Sequence, residues 1–496
     1  MVTLAELRAL INSHTEWLLI RGSGRSFPLF GSEVEITASD DKTLLGFLDD
    51  DGFHSWRLNE VALNDGSIEF DVAGPFARKR ETLRLVPRES AAALAAAVEL
   101  ARLQKTNEIA QMIEGSIPAT KLTRVELNAD NGRLGQILFE RDRRRIAAIA
   151  DVTEGLTPES MLTASMVWIE KLAARSKNPI NEIYVAAERR QAKAVQKLHA
   201  LLNDRWKGKI SVFEINRKAA PPHLAELAPR KIRDLWREKT KQLAIPRDSQ
   251  PSVTARKIVA LAPESIDIVY SKQGETLRFM GLPIVRVRTL LGKEKAWFGV
   301  GKSRRILGEE IWPQLVDLVG DLKKYRSAVS ENPRHEFYRT LPEAWLESIL
   351  RRDVQRLDAN LILSPIYNQF RASNDKIDLL ALRRDGRLVI IELKTQPDRE
   401  MVFQAADYWR KIELQRRRGI LAKADLFDGR EILDKPALIY LVAPALSFHR
   451  GYEFFASALS PEIELWRFEL HEKWRSEIKV IARREFRDQS FGFTNL

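Results

Sequence analysis

Three ionisable residues lie inside two short apolar segments in the C-terminal third of the chain. Asp378 is in the first segment, 377–382, and Glu392 and Lys394 end the second, 388–394. An Asp-Gly turn signal separates the segments, so the pattern predicts a β-hairpin. Because strand residues two positions apart share a face, Glu392 and Lys394 point the same way, and the hairpin brings Asp378 beside them. Buried charges are costly unless they are paired or bind a metal, so this arrangement predicts a functional site.

The residue types indicate metal-assisted hydrolysis. Two carboxylates and the backbone carbonyl of Leu393 form an oxygen-rich site suited to Mg²⁺ or Mn²⁺. A lysine beside such an ion holds, or helps to deprotonate, a water molecule aimed at a phosphate. The alternative interpretation is an ordinary ion-pair network at the edge of a sheet.

The order of these residues resembles a known nuclease pattern. Asp378 is followed after fourteen residues by the Glu392-Leu393-Lys394 triplet, and Gln404 and Tyr408 then form a Gln-x-x-x-Tyr pattern on the next predicted helix. This resembles the PD-(D/E)XK nuclease superfamily in its RecB-like branch, and residues 335–480 resemble the C-terminal domain of NucS-type endonucleases. In that family an upstream helix carries a further Glu, which matches Glu343, with Glu347 one turn later as the competing assignment.

The resemblance implies a function for each matched position. The chain is expected to be a Mg²⁺-dependent (or Mn²⁺-dependent) endodeoxyribonuclease acting in DNA repair, restriction or defence. The alternative is a catalytically silent nucleic-acid-binding or regulatory protein that keeps the fold. The implied roles are metal binding by Asp378, Glu392 and the Leu393 carbonyl, completion or bridging of a second ion by Glu343, positioning of the attacking water by Lys394, and orientation of Lys394 and the scissile phosphate by Gln404 and Tyr408.

Charge is distributed unevenly along the chain. The net charge is +12, and residues 201–330 alone carry a net +12, against −2 for residues 1–200 and +2 for 331–496. A local excess of cations attracts a phosphate backbone through counterion release, although a basic surface without a ligand is an equally good explanation on charge alone. The expected nucleic-acid contacts are Arg230, Arg233, Arg237, Lys302 and Arg305, together with Arg416 and Arg417 at the basic end of the Gln404 helix.

Element patterns predict an α/β (α+β) protein of four domains. Residues 1–87 form a β-rich domain, 88–215 an α/β domain, 216–330 a basic α/β region and 331–496 the nuclease domain. The C-terminal core is expected to be αβββαβ with a mixed sheet. Residues 88–215 show a similar order of helices and strands without a Glu-x-Lys triplet, offering only Asp151 at the equivalent strand, which suggests a degenerate second copy of that core.

Composition limits the cellular setting. The chain has no cysteine, which excludes disulfides and thiol nucleophiles and fits a reducing cytoplasm. No stretch of eighteen apolar residues is present, so no membrane span or signal peptide is expected. DNA is the expected partner, and the oligomeric state stays open, with a homodimer among the options.

Overall fold

The computed structural model describes residues 3–22, 24–39, 42–49, 52–64, 66–73, 80–88, 91–175, 179–239, 250–271, 274–290, 293–301, 305–363 and 378–486. Two compact units divide the chain: Met1–His199 with Arg205–Pro229, and Ala200–Asp204 with Arg230–Leu496. Four β-sheets follow one another in chain order among the described residues. The architecture is therefore mixed α/β, as predicted from the sequence.

A seven-stranded antiparallel sheet forms the N-terminal part of the first unit, in the order β2-β1-β7-β6-β5-β4-β3. Its strands are β1 (Glu16–Arg21), β2 (Ser26–Phe30), β3 (Glu35–Ser39), β4 (Lys42–Asp49), β5 (Gly52–Asn64), β6 (Ser67–Ala73) and β7 (Arg80–Pro87). The first helix, α1 (Leu4–Asn12), begins with a capping box between Thr3 and Glu6, which satisfies two backbone donors of its first turn. Buried alternating residues such as Trp17, Leu19 and Phe70 make the core of this sheet.

A six-stranded mixed sheet completes the first unit, in the order β13-β12-β11-β10-β9-β8. Its elements are α2 (Ala91–Ser116), β8 (Thr120–Leu127), β9 (Leu134–Arg141), β10 (Arg144–Asp151), α3 (Pro158–Arg175), β11 (Ile183–Glu188), α4 (Arg189–His199), α5 (Asp204–Lys207), β12 (Ile210–Asn216) and β13 (His223–Glu226).

The second unit begins with a five-stranded antiparallel meander, in the order β14-β15-β16-β17-β18. Its elements are α6 (Ile232–Leu235), α7 (Val253–Val259), β14 (Ile266–Ser271), β15 (Gly274–Phe279), β16 (Leu282–Leu290), β17 (Lys293–Phe298), β18 (Arg305–Ile306), α8 (Trp312–Tyr325) and α9 (Glu336–Arg339). Leu315, Val319 and Leu322 recur at helical spacing on α8 and bury its apolar face against this sheet.

The last sheet has six strands in the order β19-β20-β21-β22-β23-β24. Its elements are α10 (Pro342–Arg352), β19 (Leu361–Leu363), β20 (Leu379–Arg383), β21 (Leu388–Leu393), α11 (Met401–Arg417), α12 (Ile420–Lys423), β22 (Leu438–Pro444), α13 (Tyr452–Ser457), β23 (Leu465–Leu470) and β24 (Val480–Phe486). Short 3-10 helices also occur in the chain at Gly31–Glu33, Glu309–Ile311, Val354–Arg356 and Ala445–Ser447. Residues 364–377, between β19 and Asp378, lie outside the described residues.

The predicted hairpin is formed by β20 and β21, which pair antiparallel with Leu379 opposite Ile391. Gly386 takes a φ of +85° in the connecting turn, and a Cβ there would come within 3.1 Å of the Glu431 carbonyl, so the turn requires glycine. Every residue of β21 and β22 is buried, because these parallel strands lie at the centre of the sheet. A charged residue at the end of β21 is therefore held in a dry environment.

The two six-stranded sheets share one topology. In each, the first strand pairs antiparallel with the second, and the second with the third. The third and fourth strands, and the fourth and fifth, pair parallel, and the fifth and sixth pair antiparallel. Each sheet also has a helix before its first strand and helices between its parallel strands. The structure therefore shows the similar order of helices and strands expected for 88–215, and the similarity extends to β13. That residues 88–215 are a degenerate copy of a nuclease core stays a prediction.

The helices in the described ranges give no membrane span. None of them combines the length and the apolar character needed to cross a bilayer.

Candidate active site

The hairpin strands bring Asp378 beside the end of β21. Asp378 immediately precedes β20, and Leu379 pairs with Ile391, so the register places Asp378 next to Glu392. The Leu393 backbone N–H donates a hydrogen bond of 2.9 Å to Asp378 Oδ2. This bond fixes the carboxylate at the strand end and joins two of the predicted metal-binding residues.

Glu392 is a buried carboxylate with an unused oxygen. It is 2% exposed, and its Oε2 has no hydrogen-bond partner among the residues that the structure describes. Burial raises the pKa of Glu392 well above its usual value, and the negative charges of Asp378 and Glu343 raise it further, against an opposing effect of Lys394. The structure therefore concentrates negative charge where a cation would relieve it.

Lys394 lies between two carboxylates. Its Nζ is 3.3 Å from Glu392 Oε1 and 3.1 Å from Asp398 Oδ2. Burial alone lowers the pKa of Lys394, but the charges of Glu392, Asp398 and Glu343 outweigh it and raise the pKa, so the side chain is an ammonium ion. Asp398 was not identified from the sequence, although its position four residues after Lys394 was available as a signal.

The structure distinguishes the two carboxylates of α10. Glu343, in the first helical turn, is close enough to influence the pKa values of both Glu392 and Lys394. Glu347 is 1% exposed and forms a buried ion pair with Arg278 at 3.6 Å. The structure therefore associates Glu343 with the cluster, and Glu347 with the preceding sheet.

Gln404 and Tyr408 lie one turn apart on α11, which packs against β21 and β22. Both side chains are half-buried. The Lys411 ammonium lies 5.6 Å from the centre of the Tyr408 ring. The helix thus places the Gln-x-x-x-Tyr pair beside the strand that carries Glu392, as the sequence pattern predicted.

The donor set fits a hard divalent ion. Within the described residues, no group of three or more Asp, Glu, His or Cys side chains is already arranged to hold a metal. Even so, the cluster supplies the carboxylate oxygens that Mg²⁺ and Mn²⁺ prefer. These come from the unpartnered buried oxygen of Glu392, from the adjacent Asp378 and from the nearby Glu343. The residues present are thus compatible with the expected ion.

Several predicted nucleic-acid contacts are engaged within the protein. Arg230 pairs with Glu238 at 2.5 Å. Arg416, only 6% exposed, pairs with the fully buried Glu413 at 2.8 Å and also with Asp434. These arginines serve internal ion pairs.

The remaining predicted cations differ in their environments. Arg417 lies 3.3 Å from Glu413 and 4.8 Å from the centre of the Trp236 ring. Arg233 and Arg237 are exposed, and Arg305 donates to Gln314. Lys302 lies outside the described residues.

A basic cleft borders the carboxylate cluster. It has a volume of about 460 Å³, and Pro342, which precedes Glu343, lines it together with Thr395, which follows Lys394. The other lining residues are Pro333, Arg334, Tyr338, Arg339, Gln396, Trp474 and Arg475. The lining therefore contains three arginines and two aromatic rings but no carboxylate, and sequence reasoning missed it because its walls come from three separated segments.

A second cavity, of about 570 Å³, lies at the other end of the sheet. Several of its polar groups are already paired with one another. Tyr440 donates to Asp358 at 3.3 Å, and Arg383 pairs with Asp385 at 2.5 Å. We therefore assign the candidate site to the cluster and the cleft beside it.

Comparison with known proteins gives no relative. The chain matches no protein-family model, no curated protein sequence and no solved structure. The resemblance to PD-(D/E)XK nucleases thus rests on the residues and on the geometry described above.

Proposed function

We propose that the C-terminal half of the chain hydrolyses phosphodiester bonds of DNA with a divalent metal ion. The observation that carries the proposal is the buried cluster at the end of β21, where Glu392 retains an unpartnered oxygen beside Asp378 and Lys394. An ordinary structural ion-pair network satisfies its buried oxygens, so this unpartnered atom favours a binding role.

Each residue of the cluster has a chemical role under this proposal. Asp378, Glu392 and the Leu393 carbonyl would hold the ion, with Glu343 contributing a further carboxylate. The ion, when bound, stabilises negative charge on the phosphoryl oxygens and lowers the pKa of a bound water. Lys394, held by Glu392 and Asp398, presents a fixed positive charge that orients a water or a phosphoryl oxygen.

The two residues of α11 supply positioning. Gln404 offers an amide that donates and accepts hydrogen bonds, and Tyr408 offers a hydroxyl. Both are on the helix that packs against β21. Their proposed task is to orient Lys394 and the scissile phosphate.

The test compares cleavage of labelled DNA and RNA oligonucleotides by the full chain in Mg²⁺ or Mn²⁺ and in EDTA. Asp378→Asn and Glu392→Gln should each lower metal-dependent cleavage of DNA by at least roughly 100-fold, because each removes a ligand charge. Asp385→Asn is the matched control, since it changes an exposed carboxylate in the same hairpin at the far end from the cluster. Cleavage that persists in both cluster variants would reject the assignment, and binding without cleavage in any metal would favour a catalytically silent nucleic-acid-binding protein.

A further inference from the structure

We propose that the basic cleft beside the carboxylate cluster binds one unpaired nucleotide of the substrate strand. This inference rests on the proposed hydrolysis of DNA and adds a substrate-binding subsite to it. The cleft is formed by residues 333–342, by the segment after Lys394 and by the Trp474-Arg475 pair.

Arg475 is the central residue of the cleft. Its guanidinium carbon lies 4.3 Å from the centre of the Trp474 ring, 4.6 Å from that of Tyr338 and 5.2 Å from that of Trp345. Its buried Nε has no hydrogen-bond partner among the described residues. Burial lowers the pKa of Arg475. The charge is therefore held in place by aromatic faces and lacks an anion.

The other two arginines extend the positive surface outward. Arg334 and Arg339 are exposed, and in the described part of the chain neither has an ion pair with a carboxylate. Three arginines around one cleft repel one another unless an anion lies between them. A phosphate group meets that requirement, because the arginine fork matches its oxygens.

The shape and lining of the cleft favour an unpaired nucleotide over a duplex. A cavity of about 460 Å³ is the size of a small-molecule site, and it is too narrow for a paired helix. Tyr338 and Trp474 provide aromatic surface beside the cations, which is the combination that proteins use to hold single strands. Because Pro342 and Thr395 adjoin Glu343 and Lys394 in sequence, a nucleotide held here would place a neighbouring phosphate at the cluster.

The test measures binding of the full chain to a labelled single-stranded oligothymidylate and to a blunt hairpin duplex in EDTA, where no cleavage occurs. Fluorescence anisotropy is recorded over a range of salt concentrations. The wild type should bind the single strand more tightly than the duplex. Arg334→Ala and Arg339→Ala should each weaken single-strand binding and lower the salt slope by roughly 0.7, the value for one lost phosphate contact.

Tyr338→Leu separates stacking from charge. It should weaken single-strand binding by roughly tenfold while leaving the salt slope unchanged, because stacking releases no counterions. Arg384→Ala is the matched control, since it removes an exposed arginine at the opposite end of the same sheet, and it should change neither quantity.

Two results would overturn the inference. The first is that Arg334→Ala and Arg339→Ala both bind the single strand as tightly as the wild type. The second is that these variants weaken binding of the single strand and of the duplex by the same factor. Cleavage assays in Mg²⁺ separate this outcome from failure of the proposed function. If the chain cleaves DNA but binds equally well without these arginines, only the proposed subsite is rejected. If the chain binds through these arginines but never cleaves, only the proposed hydrolysis is rejected.

Discussion

Replacing Arg326 should loosen the start of α10 and with it the position of Glu343. Arg326 is 1% exposed and donates five hydrogen bonds to four backbone carbonyls, those of Met280, Phe337, Thr340 and Leu341. The last three carbonyls lie in the segment that forms the cleft wall and leads into α10. Burial lowers the pKa of Arg326 to about 9, with a further effect of the nearby Arg475, so the guanidinium is still charged at pH 7.

The contacts around Arg326 are tight. Met280 belongs to the β15–β16 turn, where Gly281 has a φ of +79° and a Cβ would lie 1.9 Å from the Ala344 carbonyl. The backbone of this turn therefore packs directly on the first turn of α10. Arg326 ties the turn and the helix start together, and its guanidinium lies 4.8 Å from the centre of the Trp345 ring.

The magnitude follows from these bonds. Arg326→Met keeps much of the aliphatic volume but removes this donor from four carbonyls, of which that of Leu341 keeps the Trp345 amide as a donor. Each buried acceptor that is left unsatisfied costs roughly 1–3 kcal/mol. Removing a buried charge also relieves its desolvation cost. The expected net destabilisation is about 3–5 kcal/mol, as for other broken buried charge networks. Arg326→Lys should recover only part of it, because an ammonium cannot reach all four carbonyls.

The assay combines urea denaturation with hydrogen exchange of the peptide covering 340–352. The variant should lower the unfolding midpoint and speed exchange in that peptide, which includes the Trp345 amide bonded to the Leu341 carbonyl. Cleavage should fall in parallel. Lys323→Met, an exposed neighbour on α8, is the control and should stay within roughly 0.5 kcal/mol of wild type. A loss below about 1 kcal/mol in Arg326→Met would refute the reasoning.

Three further predictions follow from the ion pairs. Glu343→Gln should reduce cleavage with little change in stability, whereas Glu347→Gln should lower the free energy of unfolding by about 3–5 kcal/mol because it removes the buried carboxylate that pairs with Arg278; urea titrations and cleavage rates would show both effects. Glu392→Gln should be at least as stable as wild type without metal, because the raised pKa of Glu392 marks an unfavourable charge. Millimolar Mn²⁺ should raise the melting temperature of the wild type but not that of Glu392→Gln. Arg416→Ala should lower the melting temperature, because the buried Glu413 loses its pair with Arg416 at 2.8 Å and keeps the longer one with Arg417, while DNA affinity in EDTA stays unchanged.

The local part of the site could be predicted from the sequence. Apolar alternation and an Asp-Gly turn give a hairpin, and the register of a hairpin follows from its turn, so Asp378 and Glu392 had to come together. Glu343 could be predicted only as one of two candidates, because helical spacing gives both Glu343 and Glu347 the same face. The partner that distinguishes them, Arg278, comes from another sheet and leaves no periodic signal.

The basic middle region shows a different limit of sequence reasoning. Counting cations predicted a phosphate-binding surface at 201–330, but that count includes Arg278 and Arg326, which are buried and satisfied by protein groups. Around Arg233 only Ile232–Leu235 is helical, and Trp236 contacts Trp409 with ring centres 5.9 Å apart. Composition does not reveal which cations have carbonyls or carboxylates as partners.

The two six-stranded sheets correspond at the level of individual residues. In both, a tyrosine on the fourth strand contacts a phenylalanine on the fifth and lies near an arginine at the end of the second. Arg141 donates a hydrogen bond of 3.4 Å to the Tyr184 hydroxyl, and the charge of Arg383 acts on the pKa of Tyr440. The centres of the tyrosine and phenylalanine rings are 4.6 Å apart in the six-stranded sheet of the first unit and 4.3 Å apart in that of the second unit. The matching residues are Arg141, Tyr184 and Phe213 in one sheet and Arg383, Tyr440 and Phe468 in the other.

This correspondence identifies the residues of the first unit's six-stranded sheet that lie at the positions of the candidate site. In the first unit, Tyr184 pairs with Ala148, which pairs in turn with Ile137. In the second unit, Tyr440 pairs with Ile391, which pairs in turn with Leu379. Ala148 therefore corresponds to Ile391, and Ile137 corresponds to Leu379. Counting from these anchors, the positions of Asp378, Glu392 and Lys394 are occupied by Gln136, Ile149 and Asp151. Asp151 accepts hydrogen bonds from Thr153 and Leu156, so its carboxylate serves the local turn. The six-stranded sheet of the first unit therefore has the same strand arrangement but different side chains at the three positions. It has an amide, an aliphatic side chain and a hydrogen-bonded carboxylate where metal ligands and an ammonium would be needed. Of these two sheets, the second alone carries the carboxylate cluster.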